Sequence, residues 1–264
     1  MRKTIHSIWA YRYFILSSIQ TNFKSRFARS KLGGLWMILH PLAQVLIYAL
    51  ILSNILKAKL PGIESQYAYA IYLMAGMVGW TLFSEIVGAS IDVFISNANL
   101  LKKMAFPKLT LPLIVIGNGM VNFLLLLLAM FVVFAFLGHV ALHAIIWLPL
   151  LILVTLALAV GIGLTLGVIN VFIRDVGQVM SIVLQFWFWL TPVVYTLSIV
   201  PEEYHHLFFI NPMAGVIEGY HNILVYDKAP DFGLLIYPSI VGIVTLILAL
   251  YLFKRANEDM TDVL

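Results

Sequence analysis

Five stretches of this chain run for 20 residues or more without Asp, Glu, Lys or Arg: residues 32–56, 65–84, 109–173, 176–201 and 232–253. A helix needs roughly 20 apolar residues to cross a bilayer. The third stretch holds 65 residues, too many for one crossing, and the turn-like "GHVALH" at 138–143 divides it in two. The pattern therefore predicts six spans. Ahead of them, Ile5, Trp9, Tyr13, Leu16, Ile19, Phe23 and Phe27 recur at steps of three and four, opposite Ser7, Ser18, Asn22, Ser25 and Arg29. That spacing predicts an amphipathic helix lying in the membrane interface. Between the last two spans, about thirty semi-polar residues are broken by Asn211-Pro212. They are too polar to span and too apolar to float free, which predicts two short helices re-entering the outer leaflet under the shelter of protein.

Composition agrees with this pattern and sharpens it. Charged residues make up 11% of the chain and hydrophobic ones 62%, against about 25% charged in a soluble domain. The sequence thus predicts an all-α integral membrane protein. A net charge of +4 does not point to nucleic acid, because the basic residues flank apolar spans. Alternate sides of the six spans hold 13 and 3 of the Lys and Arg residues. By the positive-inside rule both termini and the loop carrying Lys102, Lys103 and Lys108 face the cytoplasm. Arg12 interrupts the early apolar stretch and no small-residue cleavage site follows, so the N-terminus is expected to be retained.

Several chemistries lack their residues. Without cysteine there is no disulfide framework, thiolate metal site or thiol nucleophile. Glu202, Glu203, His205, His206 and His221 crowd one region, but the two adjacent histidines point in different directions and lack the i, i+4 spacing of a helical zinc site. No G-x-S-x-G elbow faces an intramembrane histidine, so no catalytic residue is assigned. The phosphate-cradling G-x-x-x-x-G-K-[ST] is also missing; any ATP and Mg must be bound by another chain. Asp92 falls near the cytoplasmic end of span two. Glu85, deeper in the same span, has two open readings: a pore-facing group, or a structural partner for a polar residue on a neighbouring span. Ala157 with Gly161 and Gly163 with Gly167 are small-xxx-small pairs that mark close helix packing, within the subunit or between subunits.

Phe186, Trp187, Phe188 and Trp189 begin about ten residues past Asp175, roughly 15 Å into the membrane at 1.5 Å per residue. Interfacial aromatic belts do not sit so deep. Aromatic rings stack on the apolar faces of sugar rings without demanding one hydrogen-bond pattern, which suits a path for many similar units. Four consecutive rings point all round a helix, so only some can face such a path.

Four stretches carry a resemblance: "RFARSKLGGLWMILHPL" entering span one, "NANLLKKMAFPKLTLPL" between spans two and three, "NVFIRDVGQVMSIVLQFWFWLTPVVY" into span five, and "INPMAGVIEGYHNIL" between spans five and six. In this order they resemble the permease subunits of ABC-2 type polysaccharide exporters, above all those for O-antigen, with capsular polysaccharide and teichoic acid exporters as relatives. The resemblance divides the chain into an interface helix, residues 1–31, and a six-span domain, residues 32–264. It implies a coupling helix at about 97–107 that docks on a cytoplasmic ATPase, with Asn97, Asn99, Leu100, Lys102, Lys103 and Phe106 in contact and Pro107 ending it. Arg174 and Asp175 resemble the family's "FRD" at the inner mouth, with one residue more here between Phe172 and Arg174. Asn211 and Pro212 fall in an outer gate segment, about 200–231. Spans one and five of two subunits would line the channel, leaving Phe186, Trp187, Trp189 and Tyr195 as its aromatic candidates. The implied assembly is a homodimer with two ATPase copies in a bacterial inner membrane, exporting a lipid-linked polysaccharide whose anionic headgroup is drawn to Arg26, Arg29 and Lys31. An ion-gradient-driven carrier is the alternative, and Glu85 is its one intramembrane charge.

Overall fold

A computed structural model describes residues 9–27, 31–36, 39, 42–43, 68–103, 107–139, 141–196, 200–256 and 259–264. Most of the first expected span, Arg29 and Phe106 lie outside the described residues, as do the side chains of Arg26 and Lys103.

Every regular element among the described residues is helical. They are α1 (Arg12–Phe27), α2 (Ala68–Ser96), α3 (Ala98–Lys103), α4 (Thr110–Phe136), α5 (Leu148–Phe172), α6 (Asp175–Leu190), α7 (His205–Ile210), α8 (Pro212–Leu224), α9 (Phe232–Ala256) and α10 (Asp259–Val263), with short 3-10 turns between some of them. Apolar surroundings offer no water to backbone N–H and C=O groups, and a helix satisfies them within one segment. Among the described residues, four helices are long and apolar enough to cross a membrane: α2, α4, α5 with its 3-10 lead-in from Ala144, and α9. The break expected at 138–143 is there. Gly138, at φ 72°, takes the left-handed conformation that ends α4.

The fifth apolar stretch departs from the expectation of one long span. α6 has 16 residues, about 24 Å of helix against a hydrocarbon core of about 30 Å. Beyond it the chain turns extended at Thr191, with φ −105° and ψ 135°. Pro192 supplies the reason: it disfavours helical backbone at the residue before it.

Helix α2 is the centre of the bundle, packing against α4, α5, α6 and α8. α5 packs α2 on one side and α9 on the other. The small residues of α5 make this possible. A Cβ on Gly161 would stand 2.2 Å from Thr245 Oγ1 and 2.8 Å from Leu246 N on α9, while one on Gly167 would stand 2.4 Å from the Ser90 carbonyl on α2. Both small-xxx-small pairs therefore include a glycine used inside the subunit, towards different helices.

Helix α1 covers part of the segment expected to lie in the interface. Ile15 and Ile19 pack on the bundle core, with Ile19 against Gly117 of α4, whereas Trp9, Tyr13 and Leu16 are exposed. Apolar residues lie on more than one side of this helix, so one ridge meets protein and another is left open. Arg12 is held locally, its guanidinium 4.5 Å from the Tyr13 ring centroid and 5.1 Å from that of Trp9.

Candidate functional site

Both ends of α6 are fastened by an asparagine. At its start, Asn170 on α5 is 1% exposed. Its Nδ2 donates to the Ile91 carbonyl (3.2 Å) and to Asp92 Oδ1 (3.3 Å), and its Oδ1 accepts from the Gly177 N–H (3.0 Å). The Gly177 amide belongs to the first turn of α6, where N–H groups have no partner within the helix. One side chain thus joins α2, α5 and α6. Arg174 and Asp175 flank this node, exposed and, among the described residues, in no ion pair with each other. Asp175 sits in the first turn of α6, where a negative charge meets the positive end of the helix dipole.

At the other end, Asn211 caps α8 by accepting from the Met213 N–H (3.0 Å). The same Oδ1 accepts from Trp187 Nε1 (2.7 Å), and Nδ2 donates to the Leu190 carbonyl (3.2 Å) and Thr191 Oγ1 (2.9 Å). Pro212 follows as the first residue of α8, a position that needs no backbone N–H. The expected pair of short helices is present as α7 and α8, and α8 lies deep, with Met213, Val216, Ile217 and Tyr220 fully buried.

Between these fastenings the four consecutive aromatics divide. Phe188 is 8% exposed and packs edge-on against Trp80. Trp187 packs edge-on against Phe83 at 5.1 Å between centroids and is committed to Asn211. The Trp187 ring thus faces α2. Phe186 and Trp189 are exposed, at 67% and 54%. Gln178, Ser181, Ile182 and Gln185 are exposed as well, and at 100° per residue they share one side of the helix with these two rings. Tyr195 is half-buried, its hydroxyl donating to the Trp189 carbonyl (2.9 Å). The exposed side of α6 thus mixes two amides and a hydroxyl with aromatic rings and with aliphatic Val179, Ile182, Val183 and Leu190.

At the α3 end, Leu101 is buried while Asn99 and Lys102 are exposed. Asn97 Nδ2 bonds the Val93 carbonyl (2.8 Å), turning the chain out of α2. Leu100 is half-buried, Lys31 is exposed, and Pro107 opens the turn into α4, its carbonyl accepting from the Thr110 N–H and hydroxyl.

Glu85 accepts a hydrogen bond from Asn122 Nδ2 on α4, the second of the two readings left open by the sequence. At the α7–α8 end, His139 Nε2 meets the Leu224 carbonyl (2.9 Å) and His143 Nδ1 meets Asp227 Oδ2 (2.8 Å). The Ala144 N–H, and then His143, hold the Asp227 carboxyl below the ordinary carboxylate range. His205 Nε2 bonds the Val200 carbonyl, and His221 stacks on Tyr72 at 3.6 Å, so these two histidines are committed to different neighbours.

Sequence reasoning passed over Asn170 and Asn122, and weighed His221 only as a metal ligand. The signal for the first two was visible: a lone amide inside an apolar helix needs a partner.

Residues 13–225 match the family described as ABC-2 type transporter. The chain is 28% identical to the O-antigen export system permease protein RfbA of Myxococcus xanthus, over 99% of both chains. It is 26% identical to a protein of that name in Klebsiella pneumoniae, over 95% of both. Identity to the polysialic acid transport protein KpsM of Escherichia coli is 24%, over 90% of this chain and 91% of that one.

Proposed function

Since the chain belongs to the ABC-2 type transporter family, we propose that it is the membrane permease of an exporter that moves polysaccharide, with lipid-linked O-antigen as the first candidate. The observation that carries this reading is the outward side of α6. Amides set in lipid lack partners, and an unpartnered polar group there is costly; amides facing a wet passage are solvated. Gln178, Ser181 and Gln185 offer hydrogen bonds to sugar hydroxyls, and Phe186 and Trp189 offer apolar stacking faces. Neither demands one particular sugar.

One α6 makes one wall, so a passage takes two chains. We read the assembly as a homodimer whose α6 helices face each other, with the first apolar stretch completing six spans and the wall. The polarity of charge, 13 basic residues against 3, supports both termini on the cytoplasmic side of a bacterial inner membrane. There α3 presents Asn99 and Lys102 to a separate ATPase, which binds ATP and Mg. Arg174 and Asp175 stand at the entrance to α6, beside Asn170. Closure of two ATPase copies would push α3 at the end of α2, and Asn170 would carry that motion into α6. The carrier driven by an ion gradient is left with less, because its candidate charge Glu85 is bonded to Asn122.

The test is reconstitution in liposomes with and without an ABC ATPase partner. Export of lipid-linked polysaccharide is expected only with the ATPase and ATP. Export by the permease alone, or export driven by a proton or sodium gradient, overturns the reading.

A further inference from the structure

Where α6 ends, the backbone runs from Thr191 to Tyr195 across the face of α2 and presents successive carbonyls to it. The Tyr69 hydroxyl donates to the Val194 carbonyl and the Tyr72 hydroxyl to the Tyr195 carbonyl (3.1 Å). Tyr69 and Tyr72 are three residues apart on α2, so they lie on one side of that helix. The segment that continues α6 is therefore held by two aromatic donors in a row.

A third polar ring sits beside them. His221 of α8 is 0% exposed and stacked on Tyr72. Neither of its ring nitrogens has a hydrogen-bond partner among the described residues. The Tyr72 backbone comes close enough to favour the protonated ring slightly, but burial outweighs it and keeps the imidazole neutral. A neutral imidazole carries one N–H, and a buried donor left unmade is costly, so such groups are rare in natural proteins.

The carbonyl just before the two held ones is that of Val193. It and His221 Nε2 each stand 2.8 Å from the point that a Cβ on Gly76 would occupy. The two atoms are thus separated by no more than twice that distance, across a residue that has no side chain. A shift of under about 3 Å would bring them to hydrogen-bonding distance.

We infer that His221 is a positioning residue for transport, which takes the Val193 carbonyl in the second state of the passage, so that residues 193, 194 and 195 are then all held by donors from α2 and α8. The inference rests on the reading of α6 as a passage wall. In the state described here the Val194 and Tyr195 carbonyls are held. When α6 moves at its far end, the turn at 191–195 slides over Gly76 and the third bond closes. His221 never touches the glycan; it sets where the end of α6 comes to rest.

This role leaves a signature that plain packing would not. His221→Phe removes an unpartnered polar group and keeps a ring for Tyr72, so thermal stability in detergent should stay level or rise. ATP-dependent export should nevertheless fall about tenfold, the worth of one lost hydrogen bond in one of two states. His221→Gln, which keeps a donor, should recover part of the export. Wild-type export in the Phe variant overturns the inference, and so does a joint fall of stability and export that Gln does not relieve. Should the Phe variant fail to fold, the unmodified complex answers through 15N-labelled histidine. The His221 ring signal should move between the nucleotide-free and ATP-trapped states, and an unmoved signal overturns the inference. Wild-type protein that exports without ATP sinks the functional reading itself and takes this inference with it.

Discussion

Asn211 makes four hydrogen bonds with one side chain and joins three things at once: the cap of α8, the indole of Trp187 and the end of α6. Losing a cap costs about 1 kcal/mol, and stranding a buried indole N–H adds about 1–3 kcal/mol. Asn211→Ala is therefore expected to destabilise the protein by about 2–4 kcal/mol, read from unfolding in detergent. Trp187→Phe removes the indole donor, so the two substitutions combined should cost clearly less than their sum. Strict additivity would show that the Trp187–Asn211 bond carries no energy. Glu85 belongs to the same scale. Its carboxylate was the one charge the sequence left in mid-span without a role, and Asn122 gives it a structural one.

Among the elements, α5 shows how helices without large side chains at their contacts come close enough to pack. A methyl on Gly161 meets the backbone nitrogen of Leu246 as well as Thr245 Oγ1, and a backbone cannot rotate away as a side chain can. Gly161→Ala should force α5 and α9 apart at a cost of about 1–3 kcal/mol. Gly88, also within a long helix, α2, is the control: a Cβ there meets nothing within 4 Å. Gly88→Ala should leave stability unchanged or raise it by about 0.5–1 kcal/mol, because alanine favours helix. Thermal melts of the two variants separate these outcomes, and equal melts would refute the packing assignment. Helix α6 obeys another logic. It is short, fastened at both ends by Asn170 and Asn211, and open along its middle, which makes it the element best placed to move as a unit.

For the whole molecule, the proposed passage depends on what faces the exposed side of α6. The chain has no cysteine, so single cysteines report position cleanly. Gln185→Cys should react with a membrane-impermeant maleimide in the assembled exporter, with labelling reduced when polysaccharide is present. Ile247→Cys on the exposed side of α9 should stay unlabelled, because lipid excludes the reagent. Equal protection of both positions would place α6 against lipid and remove the passage.

The sequence by itself determined the all-helical membrane fold, the positions of the apolar helices α2, α4, α5 and α9, the break at 138–143 and the pair of short helices around Asn211-Pro212. These follow from local rules: apolar length against bilayer thickness, and what glycine and proline do to the backbone. The resemblance pointed to the family. Tertiary structure alone decided which rings of Phe186, Trp187, Phe188 and Trp189 turn inward, which face of α1 meets the bundle, that Glu85 pairs with Asn122, that Asn170 and Asn211 fasten α6, and that His221 stacks on Tyr72. Each of these depends on which group, apolar or polar, finds its partner on another helix. A helix that is apolar nearly all round carries no periodicity to say which side its neighbours will take.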